Sequence, residues 1–102
     1  MSNTRPDVER RLRDDLISAE SKFRALEQEY AELLADPGTI QEDRDATRTV
    51  MEASRGTLEQ AQHALDRFVH GDYGRCEACG KPIGAERLEA IPDASRCVTC
   101  AN

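Results

Sequence analysis

Two stretches of the chain repeat their apolar residues at alternating steps of four and three. The first runs Leu12, Leu16, Ala19, Phe23, Leu26, Tyr30, Leu33, with no Gly or Pro between Pro6 and Ala35. The second runs Thr47, Met51, Ser54, Leu58, Ala61, Leu65, Phe68. Each is a heptad seam along one face of a long helix. Between them lies Asp36-Pro37-Gly38-Thr39, in which Pro37 and Gly38 stop the first helix. Thr39 and Glu42 have capping-box spacing and predict that Thr39 caps the second helix. Gly71 after His70 is the expected stop at its far end.

The two seams match when folded antiparallel about the turn. Positions whose numbers sum to 77 then face each other, so Tyr30 meets Thr47, Leu26 meets Met51 and Phe23 meets Ser54. Ala19 meets Leu58, Leu16 meets Ala61 and Leu12 meets Leu65. Several layers set a large side chain against a small one, which keeps the filled volume even. This self-complementarity predicts an intramolecular hairpin and a monomer. Helices of about 28 residues give a rod of roughly 42 Å. At the tip the rule sets Leu33 against Arg44, a poor core pair, so Leu33, Leu34 and Ile40 are expected to cap the loop instead. Gly56 falls off the seam, and the pattern gives no reason for it.

Beyond residue 71 the helical pattern ends and chemistry begins. All four cysteines lie here, as Cys76-x-x-Cys79 and Cys97-x-x-Cys100 with seventeen residues between the pairs. Two C-x-x-C turns present four thiolates to one point, the spacing of a structural zinc site. Gly80 after Cys79 lets backbone amides turn toward a thiolate. Arg75, Lys81, Arg87 and Arg96 are placed to offset the charge of a four-thiolate centre. A disulfide pairing suits a secreted chain, and the opening MSNTRPDVERRLRDDL lacks an export signal. A thioredoxin-like pair opens a helix within a βαβ unit, and none is legible. The expected organisation is a mainly α chain, with a coiled-coil hairpin over 1–71, its tip near 36–46, and a zinc finger over 72–102.

Composition narrows the function. The chain has 102 residues and a net charge of −6, which disfavours a coat for nucleic-acid phosphates. No apolar run is long enough to cross a bilayer. Reduced cysteines without an export signal imply the cytoplasm. A zinc closed by four cysteines leaves no open position for water or substrate, and His63 and His70 have no catalytic partners in the sequence, so an enzyme is not expected.

In its last third the chain resembles the DksA/TraR family of bacterial transcription regulators. The residues that carry the resemblance are Tyr73-Gly74-x-Cys76-x-x-Cys79-Gly80-x-x-Ile83-Gly84, Arg87-Leu88-x-Ala90-x-Pro92 and Cys97-x-x-Cys100. The upstream hairpin fits the family architecture too. The resemblance implies zinc on Cys76, Cys79, Cys97 and Cys100. It implies binding to RNA polymerase, with the hairpin entering the secondary channel and an acidic tip brought near the active site, in some members together with the nucleotide ppGpp. The tip residues so implied are Asp36, Glu42, Asp43, Asp45 and Ala46. The family tip typically reads Asp-x-x-Asp-x-Ala, and Asp43, Asp45 and Ala46 are the nearest counterpart. The C-terminal helix and N-terminal globular segment of better-known members have no match here.

Two other readings share these features. One is a zinc-stapled coiled-coil adaptor for another protein. The other is a GATA-like DNA-binding finger, which has the same cysteine spacing but carries a helix and basic tail where this sequence reads Ala101-Asn102.

Overall fold

The computed structural model describes residues 5–101 and measures 52 × 29 × 23 Å along its principal axes. Helices α1 (Arg5–Ala35) and α2 (Gln41–Val69) pack against each other as a hairpin. The short helices α3 (Ala85–Ala90) and α4 (Val98–Ala101) follow in the finger. The described residues contain no strand beyond an isolated antiparallel bridge between Arg75 and Pro82.

The seam is where the periodicity puts it. Leu12, Ala19 and Phe23 are buried on α1, and Met51, Ser54, Ala61, Leu65 and Phe68 on α2. Leu16, Leu26, Tyr30, Leu33, Thr47 and Leu58 are half-buried. Ala64, outside the second heptad series, is buried as well. At the base, Leu12 joins Ala64, Leu65 and Phe68 in a cluster against which Val8, Leu16 and Tyr73 pack. Midway along, the guanidinium of Arg55 lies 4.9 Å from the centre of the Phe23 ring, a cation–π contact at the edge of a thin core.

The end of α2 is a Schellman motif. The Gly71 amide donates to Phe68 O at 3.1 Å and the Asp72 amide to Arg67 O at 2.8 Å. Gly71 takes φ +84°, which an L side chain rarely adopts.

The tip departs from expectation in two ways. Thr39 does not cap α2, because its amide closes a turn on Asp36 O at 3.1 Å. The helix begins after Ile40, in extended backbone and with no side-chain cap. Pro37 and Gly38 occupy the centre of that turn, and Asp36 Oδ1 accepts from the Gly38 amide at 2.9 Å. Nor do the three apolar residues close the loop together. Leu34 and Ile40 are 53% and 55% exposed, and only Leu33 is half-buried. Arg44 fills the place opposite Leu33, with its guanidinium bonded to the backbone carbonyls of Leu33 in α1 and of Asp36 just after it.

Candidate metal centre

The finger hangs on a short backbone frame. The Cys76 amide donates to Lys81 O, and the Ile83 amide to Gly74 O, both at 2.8 Å. The Gly80 amide returns to Cys76 O at 2.9 Å and closes the first knuckle, with Gly80 at φ +79°. In the second knuckle the amides of Cys100 and Ala101 donate to Cys97 O, which opens α4. Ile83 and Cys76 are buried beneath this frame.

The frame brings all four thiols to one point. The Sγ atoms of Cys76, Cys79, Cys97 and Cys100 lie within 4.8 Å of one another, and those of Cys79 and Cys97 are 3.8 Å apart. A tetrahedron with Zn–S bonds of about 2.3 Å has S–S edges of about 3.8 Å. The cysteines are unbridged. Their titration also favours a cation. The Cys97 amide, assisted by those of Cys79 and Ala78, lowers Cys76 to about 6 against its burial. The Cys100 amide lowers Cys97. Cys100 is pushed up to about 12, because crowding by Cys97, Cys76 and Cys79 favours keeping a proton there. One divalent ion relieves that crowding, and a sulfur-only closed donor set suits structural zinc.

A polar joint ties the finger to the hairpin. Glu77, next to Cys76, faces His63 Nε2 at 2.8 Å through Oε1. Its Oε2 accepts from Ser95 Oγ at 3.1 Å and from Arg96 Nε at 3.3 Å. Arg67 of α2 lies 3.9 Å from the same carboxylate and donates to the carbonyls of Asp72 and Arg75. The His63 bond, then those of Arg96 and Ser95, hold the Glu77 carboxyl below its ordinary value despite partial burial. Tyr73 completes the joint, with its hydroxyl donating to Pro92 O at 2.9 Å and its ring edge-on to Phe68 at 6.0 Å. On the other side Arg11 of α1 donates to Glu89 O at 3.0 Å.

Sequence reasoning missed this joint. His63 and Glu77 are fourteen positions apart, and no pattern in the sequence pairs them. The only signal was an acid placed inside a C-x-x-C. Two of the four cations expected to face the thiolates bond elsewhere, Arg87 through Nε to Arg96 O at 3.0 Å and Arg96 to Glu77.

At the other end of the rod, Asp36, Glu42, Asp43, Asp45 and Ala46 are all exposed. Asp36 and Asp45 accept local bonds, from the Gly38 amide and from Gln41 Nε2 at 2.8 Å. Asp43 and Glu42 belong to the first turn of α2, whose free amides favour nearby anions. No described helix is long and apolar enough to cross a membrane.

Comparison with known proteins follows the same division. Residues 71–102 match the prokaryotic dksA/traR C4-type zinc finger. The chain is 46% identical over 59 residues to General stress protein 16O of Bacillus subtilis, covering 58% of this chain and 36% of that protein. It is 38% identical over 65 residues to the RNA polymerase-binding transcription factor DksA of Caulobacter vibrioides, covering 64% of this chain and 46% of that one. The match thus spans less than half the length of these relatives. The structure of transcription factor DksA2 from Pseudomonas aeruginosa superposes with a TM-score of 0.81 at 24% identity, over 95% of this chain and 79% of that one. Fold, donor set and finger sequence agree: residues 71–102 match a dksA/traR C4-type zinc finger, and it stands on a hairpin that shares the fold of DksA2.

Proposed function

We propose that this protein binds bacterial RNA polymerase in the cytoplasm and modulates transcription initiation, without a catalytic role of its own. Cys76, Cys79, Cys97 and Cys100 hold one zinc as a structural staple. The hairpin enters the secondary channel and carries Asp36, Glu42, Asp43, Asp45 and Ala46 toward the active site. The observation that carries this reading is the union of two features on one rod. A finger of the dksA/traR type forms the base, and four exposed carboxylates stand at the far end. Relatives named RNA polymerase-binding transcription factors support it. An acidic rod suits a protein partner better than DNA.

A second reading, an adaptor for another protein, is favoured by one observation. The sequence from Asp36 to Thr47 has no Asp-x-x-Asp-x-Ala tip. Direct competition separates the two. The zinc-loaded protein is titrated against RNA polymerase carrying a labelled secondary-channel factor, with and without ppGpp. Displacement supports the regulator. A protein that does not bind at micromolar concentration is an adaptor or acts elsewhere. If displacement occurs, Asp43→Ala with Asp45→Ala is expected to keep affinity and change promoter output.

A further inference from the structure

The one cation of the tip is turned inward. Residues 36–47 hold four acids and a single base, Arg44. The acids are exposed while Arg44 is half-buried. Its Nε donates to Leu33 O at 3.2 Å and its terminal nitrogen to Asp36 O at 3.1 Å. Both acceptors are main-chain carbonyls at the end of α1, and neither is a carboxylate.

This arrangement answers a need on each side of the turn. The last carbonyls of a helix lack partners and carry partial negative charge. The last turn of α1 contains no basic residue of its own. On the other side, α2 starts without a side-chain cap. Within the turn itself, the Gly38 and Thr39 amides bond to Asp36. At the turn, Arg44 is a side chain that reaches from α2 back to the end of α1. A guanidinium, planar with several fixed donors, suits two carbonyls at once.

We propose that Arg44 is the positioning residue of the tip. It fixes the turn by bonding Leu33 and Asp36 from the first turns of α2. It also directs its charge onto the backbone, which leaves Asp36, Glu42, Asp43 and Asp45 free to face a partner. The functional half of this proposal rests on the tip reading given above. The structural half does not.

The test uses the full zinc-loaded chain with Arg44→Ala and Arg44→Lys. A lysine ammonium on a flexible stem replaces the fork by a point donor. Amide hydrogen exchange over residues 33–40 is expected to quicken about tenfold in Arg44→Ala, the loss expected for a charge-assisted bond, and less in Arg44→Lys. Exchange around Met51 and zinc content stay as in the wild type. Unchanged exchange over residues 33–40 in Arg44→Ala overturns the proposal. In the polymerase assay, Arg44→Ala keeps affinity within about threefold and loses the effect on output, and Arg44→Lys recovers part of it. Loss of output without faster exchange also overturns it, since charge rather than position would then matter. A wild-type protein that fails to compete defeats the tip reading alone, and exchange still decides whether Arg44 holds the turn.

Discussion

His63 Nε2 on α2 and Glu77 Oε1 in the finger meet at 2.8 Å, across the line where the hairpin ends and the metal frame begins. The imidazole side chain is 51% exposed and the carboxylate 29%, so the pair is partly screened. A double-mutant cycle with His63→Ala and Glu77→Gln, read by urea unfolding of the zinc-loaded protein, is expected to give a coupling of about 0.5–1 kcal/mol.

The same carboxylate fixes the sign of a pH effect. Its folded value lies below the ordinary 4.5. The stability it adds is therefore fully present above that ordinary value. It is lost as pH falls through the depressed one. The gap between wild type and Glu77→Gln should persist down to about pH 5 and close only in stronger acid. Parallel urea titrations of both proteins across that range check it.

Zinc removal should divide the molecule along the joint. Cys97→Ser is expected to lower zinc from one ion per chain to almost none. Helices α1 and α2 contain 31 and 29 residues, and α3 and α4 only 6 and 4. Far-ultraviolet ellipticity should thus fall by no more than about a seventh if only the finger melts. Metal analysis and circular dichroism on one sample decide the point. A collapse of most of the helical signal would mean that the hairpin does not stand without its base.

The thin core gives two contrasting leucines. Leu12 is 1% exposed within the base cluster, and Leu34 is 53% exposed at the tip. Leu12→Ala should cost about 2–4 kcal/mol, through lost burial and the cavity left behind. Leu34→Ala should stay within about 0.5 kcal/mol. Urea midpoints of the two variants make the comparison.

Gly56 lies inside α2, and beyond its own stretch of helix backbone nothing comes within 4 Å of the place a Cβ would take. Gly56→Ala should therefore stabilise the protein by about 0.5–1 kcal/mol, since alanine loses less backbone freedom on forming the helix. A thermal midpoint raised by several degrees is the expected reading, and a lowered one would reveal a need for glycine in the helix.

The parts legible in the sequence were those governed by a repeat. Leu12, Phe23, Met51 and Leu65 follow a heptad whose physical cause is simple burial on one face, so their positions carry over directly into the fold. The cysteine pairs were legible for a similar reason, because tetrahedral ligation demands close spacing within each knuckle. Polar bonds between distant segments have no such period. Glu77 and His63 are paired only because the finger folds back on α2. Arg44 looked like a defect in the seam because register predicts a neighbour and not the atom it will bond. The capping box misled for a local reason, since the turn had already taken the Thr39 amide for Asp36 O.

The joint at Glu77 also sets a mechanical scale. Helix α2, with 29 residues, carries the tip about 43 Å from its foot at a rise of 1.5 Å per residue. A tilt of about 5° at the foot therefore sweeps the far end through almost 4 Å, more than the reach of one hydrogen bond. A small rotation at the polar contacts around Glu77 is thus magnified along the rod into a displacement of the whole tip.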